Sequence, residues 1–250
     1  MDKSLFHGMM RNASFVSYAV GLFAIGSSIA QSIISLSALG PLESAIASGH
    51  YDSSTIALIS QTLTNILPMT LIILGITVLL TIFFAYYTFK VGQAYEIGSI
   101  KIAGVAYVIM ELSTLPLLLA AYELFPLLPA LISNPSSVYS QLLSIVVLLL
   151  VSSLAALAFL IVFVVTFCLG LHRMDAQTGI GLFGTAMVLV IIGIILTFFN
   201  SVFASVGIPI SVGNLLLQVS IILFGVGLGK AGREGRVPNR LKERVPQEEA

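Results

Sequence analysis

One acidic residue, Glu111, lies inside a long apolar segment, in the stretch VIMELSTLP that ends at Pro116. A charged side chain at the centre of a bilayer costs about 2.5–3.5 kcal/mol on insertion scales, so we expect this carboxyl to face the protein interior, protonated and hydrogen-bonded. Two interpretations follow. The carboxyl either fastens neighbouring helices as a buried hydrogen-bonding group, or it binds a proton or a cation. The sequence leaves both open.

Other polar side chains are predicted near this carboxyl. Tyr107 and Thr114 share its helix face, at offsets of four and three residues. Pro116 lacks an amide N–H and frees the carbonyl of Leu112, which predicts a kink beside Glu111. Residues at about the same depth in other apolar segments include Thr77 and Ser28 as well as members of the candidate site. The candidate intramembrane polar site is Glu111, Tyr107, Thr114, Gln218, Ser152 and Ser153.

Other chemistry finds little support in the sequence. The single cysteine, Cys168, rules out an internal disulfide and a cysteine-based zinc site. His7, His50 and His172 all lie in predicted connections or at span ends, where they cannot ligate a haem within the membrane. The apolar segments also lack the Ser/His pair or paired acids of a protease centre. We therefore expect no enzymatic activity, no metal and no cofactor.

The composition indicates where such a carboxyl is placed. Of the 250 residues, 58% are hydrophobic and only 9% are charged, and the mean hydropathy is +1.07. Soluble domains average about 25% charged residues, so this composition is typical of a membrane protein. A membrane helix needs about 20 mostly apolar residues. Six segments qualify, at residues 13–37, 66–89, 100–124, 141–171, 179–203 and 208–229.

The basic residues predict the orientation of these six spans. All eleven lysines and arginines fall before the first span, after the sixth, or in and at the edges of the connections that follow spans two and four. Lysine and arginine are enriched on the cytoplasmic side, so both termini are predicted to be cytoplasmic. The resulting division is a cytoplasmic N-terminus at 1–12, a six-helix transmembrane domain at 13–229, and a basic cytoplasmic tail at 230–250.

The tail is predicted to lie near lipid. Its basic side chains could contact anionic headgroups, each contributing about 1 kcal/mol near the surface. The alternative is ordinary positive charge on the cytoplasmic side with no specific contact. The predicted lipid contacts are Arg233, Arg236, Arg240, Lys242 and Arg244.

Glycine-containing patterns recur along the chain. Three spans carry FKVG from Phe89, FCLG from Phe167 and FGVG from Phe224, and we expect these glycines to accept the left-handed conformation that ends a helix. The pattern indicates either a repeated helical hairpin or a coincidence of composition. The glycines of GIGLFG, residues 179–184, follow no strand, so we interpret them as sites of close helix packing instead of a nucleotide loop.

Three stretches carry a resemblance to a known family: GMMRNASFVSYAVGLFAIG near the N-terminus, YYTFKVGQAYEIGSIKIAGVAYVI, and LGLHRMDAQTGIGLFGTAMVLVIIGIIL. With these stretches the chain resembles an uncharacterised archaeal multi-pass membrane family, domain of unknown function 973. The resemblance covers most of residues 1–230. It implies an archaeal cell membrane and carries over no functional residues.

The sequence therefore predicts an all-α, polytopic membrane protein, a bundle of six transmembrane helices in the cell membrane. Two functions stay open: a small-solute or ion transporter or channel that uses the polar layer around Glu111, and a non-catalytic accessory subunit. The predicted partners are the lipid bilayer and either a second copy of the chain or a membrane partner subunit, with no nucleic acid. A wide polar cavity at Glu111 favours transport, and a tightly filled interior with an exposed small-residue groove favours the accessory role.

Overall fold

The computed structural model describes residues 3–47, 53–124, 127, 135–199 and 212–236. These residues form seven α-helices and, within the same ranges, no β-strand. The helices are α1 (Lys3–Ala47), α2 (Ser53–Ala94), α3 (Gly98–Leu112), α4 (Leu115–Leu124), α5 (Pro135–Thr178), α6 (Leu182–Phe198) and α7 (Val212–Arg233). The predicted all-α fold class is confirmed.

Five helical segments are long and apolar enough to cross a membrane. They are Ser4–Ala30, Pro68–Ala94, Gly98–Leu117, Val138–Thr178 and Val212–Arg233. The remaining predicted span, 179–203, corresponds to α6, whose apolar part, Leu182–Thr197, is shorter, and residues 200–203 lie outside the described ranges. The chain is a multi-pass helical membrane protein.

The helices extend beyond the predicted spans because the flanking residues also pack. Helix α1 begins at Lys3, and Phe6 and Met10 are fully buried, although residues 3–12 were predicted to lie outside the bundle. At the other end of the chain, Ala231 is buried in the last turn of α7. The packed domain therefore includes both segments, and residues 237–250 of the predicted tail lie outside the described part of the chain.

The packing contacts between helices close into a ring. Each helix of the ring packs against the next one in the chain, in the order α1, α2, α3, α5, α6 and α7, and α7 packs against α1. Helix α4 lies against α5. The contacts of α7 with α1 and with α6 are the most extensive, so α7 joins the first and last parts of the chain.

Aromatic side chains fill the centre of this ring. The Phe224 ring of α7 lies 5.3 Å from Phe167 of α5, 6.0 Å from Phe183 of α6 and 6.3 Å from Phe84 of α2, measured between centroids. Most of these contacts are edge-on, the geometry that aromatic pairs prefer. We call this cluster the aromatic core; it consists of Phe84, Tyr107, Phe163, Phe167, Phe183 and Phe224.

Glycines set the helix separation, in part at places other than those predicted. Gly170 and Gly227 lie inside helices, where a Cβ would collide with Ile100 and with the Phe183 ring respectively, so these glycines allow close packing and are not helix caps. In contrast, Gly179 of the predicted packing motif has φ +66° and ends α5, its amide donating to the Asp175 carbonyl at 2.8 Å. Gly179 therefore ends a helix, whereas Gly184 of the same motif packs closely, with its Cβ position 3.2 Å from Asp175 Oδ2.

The predicted repeat receives no support from the burial of its phenylalanines. Phe167 and Phe224 are fully buried, whereas Phe89, the corresponding residue of FKVG, is exposed. The three segments therefore place their shared phenylalanine in different environments.

Three helix ends meet at one end of the bundle, near residues Tyr95 and Arg236. The Tyr95 hydroxyl, in the turn between α2 and α3, donates a hydrogen bond of 2.9 Å to the Arg236 carbonyl after α7. Its ring packs edge-on against Phe6 of α1. Burial raises the pKa of Tyr95 above its usual value of 10. We call this end of the bundle the basic end, because the described lysines and arginines lie in the parts of the helices nearest to it.

Replacing Tyr95 by phenylalanine should lower the free energy of unfolding by about 0.5–1.5 kcal/mol at pH 7, the usual net value of one hydrogen bond. Because the folded state raises the pKa of Tyr95, the wild-type contribution is complete below pH ~10 and is lost as the pH rises beyond it. Chemical unfolding of both proteins at pH 7 and at pH 11 measures this: the difference should shrink or change sign at pH 11. A constant difference would contradict the role of the hydroxyl.

Candidate functional site

A two-residue break in the helix lies next to Glu111, where the sequence predicts a kink. Helix α3 ends at Leu112 and α4 begins at Leu115. Pro116 cannot donate to the Leu112 carbonyl, and the helix ladder is interrupted there. The predicted kink beside Glu111 is a two-residue turn, Ser113 and Thr114, between the two helical segments.

Hydroxyl groups compensate for the broken backbone ladder. The Thr114 hydroxyl and the Thr114 amide both donate to the Glu111 carbonyl, at 2.6 Å and 3.1 Å. The Ser113 hydroxyl and the Ser113 amide likewise both donate to the Ile109 carbonyl, at 2.8 Å and 2.9 Å. Such bonds make a break tolerable in lipid, where an unpaired carbonyl is costly. Thr114 therefore bonds the main chain of Glu111 and not its carboxyl.

The Glu111 carboxyl is half-buried and pairs with Tyr107, one helical turn earlier. The Tyr107 hydroxyl lies close enough to the carboxyl to interact with it. The Thr81 side chain of α2 approaches the same hydroxyl, although Thr81 Oγ1 is buried without a hydrogen bond of regular geometry. The site thus joins α3 to α2 through a carboxyl, a phenol and a threonine.

In the part of the chain that the structure describes, no basic side chain forms a salt bridge with this carboxyl. The salt bridges found in the described residues join Lys230 and Arg236 to Glu234, far along the chain in the last turn of α7 and just after it. Among the described residues there is also no group of three or more metal-ligating His, Cys, Asp or Glu side chains. The group is therefore a single carboxyl with hydroxyl partners, which suits a proton or a monovalent cation better than a multivalent metal.

Tyr107 connects the carboxyl to the aromatic core. Its ring is nearly buried, with 5% of its surface exposed. The ring centroid lies 4.9 Å from that of Phe163 and 5.6 Å from that of Phe84. A change in the charge or hydrogen bonding of Glu111 therefore acts directly on a side chain that packs in the centre of the helix ring.

The other predicted site residues lie on α5 and α7, the helices that carry Ser152, Ser153 and Gln218. Ser152 is buried on α5, but Ser153 lies on its exposed face and so faces away from the interior. Gln218 lies on α7, and its side-chain oxygen Oε1 is buried without a hydrogen-bond partner. Thr77 donates to the Ile73 carbonyl of its own helix.

Thr81 is the residue that sequence reasoning missed. Depth counting selected Thr77, four residues earlier, although Thr81, Phe84 and Thr88 are spaced three and four residues apart and are all buried on one face of α2. Helical periodicity from Phe84 could have identified that face. Counting depth alone could not, because residues at one depth point in all directions around a helix.

The predicted lipid-contacting residues are only partly described. Arg233 is the last residue of α7, and Arg236 pairs with Glu234 at 3.2 Å. Arg240, Lys242 and Arg244 lie outside the described residues.

Comparisons with known proteins supply no relative. No protein-family model matches the chain, and neither a curated protein nor a solved structure shows significant similarity to it.

Proposed function

We propose that this protein is a transporter or channel-type protein for a small solute or ion, in which Glu111 binds a proton or a monovalent cation. The observation that carries the proposal is the helix break between α3 and α4 at a carboxyl-bearing residue. Discontinuous helices in membrane transporters expose backbone carbonyls at the substrate or ion site. An ionisable residue within a membrane helix is in itself a candidate for such a site.

The chemistry follows from the groups around the break. A protonated Glu111 is neutral and keeps its interaction with the Tyr107 hydroxyl. Loss of the proton leaves a carboxylate that no described basic side chain pairs with, and a monovalent cation could neutralise it. The side-chain oxygen atoms available to such a cation are those of the carboxylate and the Tyr107 hydroxyl. Pro116 also leaves the Leu112 carbonyl without its helical donor. Movement of Tyr107 would then loosen or tighten the aromatic core, which is the element that blocks the centre of the ring.

Proton and cation flux into proteoliposomes tests this proposal. Glu111→Gln keeps the shape of the protonated carboxyl but cannot exchange a proton, so it should abolish flux driven by a pH or cation gradient. It should leave the free energy of unfolding within about 1 kcal/mol, whereas Glu111→Ala should cost about 1–3 kcal/mol through lost packing and unpaired groups.

Glu123→Gln is the matched control, since Glu123 is an exposed acid near the end of α4. It should leave flux unchanged. Wild-type flux equal to that of empty liposomes, or full flux in Glu111→Gln, would overturn the proposal. If the Gln variant is as unstable as the Ala variant, Glu111 is ionised and paired instead.

A second candidate is an accessory subunit in which Glu111 only fastens α3 to α2. The filled aromatic core favours it, together with the long apolar exposure of α5 at Leu143, Leu150, Leu157 and Ile161. This candidate predicts stability changes in the Glu111 variants without any flux in the wild type.

We further propose that the chain lies in the cell membrane, with the basic end and hence both ends of the chain on the cytoplasmic side. The support is the partition of basic residues between the two sides of the bundle. The family resemblance noted above leads us to propose an archaeal source.

Labelling of single cysteines tests this orientation. In a Cys168→Ser background, cysteine at Ser53 or Ser136 should react with an impermeant maleimide added to intact cells. Cysteine at Ala176, which is exposed near the end of α5, should react only after the cells are opened. Labelling at Ala176 in intact cells would reverse the orientation.

A further inference from the structure

Helices α1 and α7 leave a cleft between them at the basic end. The cleft has a volume of about 290 Å³ and is lined by His7, Arg11, Ser14, Tyr18, Val226, Gly229, Gly232 and Arg233. On α1 the lining residues recur at intervals of four, three and four, so they form one continuous face of that helix. The α7 residues Val226, Gly229 and Arg233 likewise share one face. The two faces make the walls of a groove that runs along both helices.

Glycines form the floor of the cleft. A Cβ at Gly229 would lie 2.9 Å from Ser14 Oγ, and a Cβ at Gly232 would lie 3.0 Å from Met10 Cβ. Larger residues at these two positions would push the helices apart. The glycines therefore bring α1 and α7 together below the cleft while the long side chains Arg11 and Arg233 rise on either side.

The cleft carries positive charge that no acid among the described residues neutralises. Arg11 and Arg233 come from different helices, and neither forms a salt bridge with any described residue. The nearby acid Glu234 is already paired with Lys230 and with Arg236, at 3.7 Å and 3.2 Å. None of the eight lining residues is acidic. The lining is thus suited to an anion with several acceptor oxygens.

Other lysines at this end of the bundle are arranged differently. Lys90 lies 5.6 Å from the centre of the Tyr86 ring, and Lys101 lies 5.8 Å from that of Phe89. Each lysine charge therefore lies over a nearby aromatic ring. Arg11 and Arg233, in contrast, line the same cleft. The general excess of positive charge at this end does not by itself account for that arrangement.

The surface beyond the cleft is apolar. Phe15 and Leu22, which follow Arg11 and Tyr18 by one helical turn, are 72% and 61% exposed. Arg11, Phe15, Tyr18 and Leu22 are spaced four, three and four residues apart, so apolar exposed side chains continue the face that carries the arginine. A basic cleft followed by an apolar surface matches a ligand with an anionic head and apolar chains. Basic pockets between membrane helices are known to bind anionic headgroups.

We propose that the cleft between α1 and α7 binds the phosphate group of an anionic membrane phospholipid, with Arg11 and Arg233 holding the phosphate and Phe15 and Leu22 lying along the acyl chains. His7, Ser14 and Tyr18 supply further hydrogen-bond donors. This site is separate from Glu111 and does not depend on the function proposed for that residue.

Native mass spectrometry of the detergent-purified chain, titrated with dioleoyl phosphatidylglycerol, tests this proposal. The wild type should retain one phosphatidylglycerol preferentially over phosphatidylcholine. Arg11→Gln combined with Arg233→Gln should weaken that binding about thirtyfold, as expected from the usual contribution of two basic residues near a lipid surface. The single exposed variant Arg233→Gln should weaken it about fivefold, and provides the test if the double variant does not fold.

Lys90→Gln combined with Lys101→Gln is the matched control, because it removes the same number of charges at the same end. It should leave the preference for phosphatidylglycerol unchanged. Equal losses in the two double variants, or no loss in either, would overturn the proposal. If inorganic phosphate alone displaces the phospholipid at equal concentration, the ligand is a soluble phosphate and the lipid assignment is wrong.

Discussion

Replacing Phe224 by alanine should lower the free energy of unfolding by about 2–3 kcal/mol. In lipid, transferring a phenyl ring out of the core changes the free energy little, since lipid tails are as apolar as the protein interior. The cost is therefore mainly that of the cavity, at about 24 cal/mol per Å³ for a loss of about 100 Å³. Phe224 touches the rings of α2, α5 and α6, so few neighbours can collapse into the space.

Unfolding in mixed micelles of mild detergent and dodecyl sulfate, followed by circular dichroism, measures this change. Phe83→Ala is the matched control: Phe83 is 55% exposed on α2, next to the buried Phe84. It should change the free energy of unfolding by less than about 0.5 kcal/mol, as surface substitutions usually do. Equal effects of the two substitutions would mean that the aromatic core does not hold the ring together.

Replacing Gly225 by leucine should be at least as damaging, at about 3 kcal/mol or more. A Cβ at Gly225 would lie 2.8 Å from Ser17 Cβ and 3.0 Å from the Ser14 carbonyl oxygen, so the α1 backbone itself would have to move. Overpacking of a well-packed interface costs about 1–3 kcal/mol, and more where the obstacle is backbone. The α1–α7 contact closes the ring, so we expect the helices to separate.

Gly26→Leu is the control for this substitution. Gly26 lies in α1 with nothing within 4 Å of its Cβ position. Leucine is a better helix former than glycine by about 0.8 kcal/mol, so Gly26→Leu should be neutral or slightly stabilising. The same unfolding experiment measures both variants, and a Gly225→Leu protein as stable as the wild type would contradict the close approach of α1 and α7.

Much of the fold could be predicted because the hydropathy of a segment depends only on the residues of that segment. The apolar segments and the position of Glu111 within one of them follow directly from the order of residues. The burial of Phe6 could not be predicted in this way, because it depends on contacts with Tyr95, which is remote in sequence. Without knowledge of those contacts, a polar N-terminal segment is predicted to be exposed to solvent.

The candidate site was predicted in part for similar reasons. Tyr107 and Glu111 pair because they are one turn apart on the same helix, which sequence spacing determines. Ser153 and Gln218 were chosen by depth, and depth says nothing about the direction of a side chain around its helix. The break at Ser113 and Thr114 was foreseen only as a kink, since the loss of one donor at Pro116 does not reveal whether hydroxyl groups stabilise a full interruption.

The most direct test of the role of Glu111 is infrared difference spectroscopy on the reconstituted protein, comparing wild type with Glu111→Gln. We expect a carbonyl stretching band of a protonated carboxylic acid that is present in the wild type and absent in Glu111→Gln. The band should shift promptly in heavy water and disappear when the pH is raised or when the transported cation is added. A wild-type band that stays unchanged in heavy water and over the whole pH range would show a sealed structural hydrogen bond and would contradict a proton- or cation-binding role.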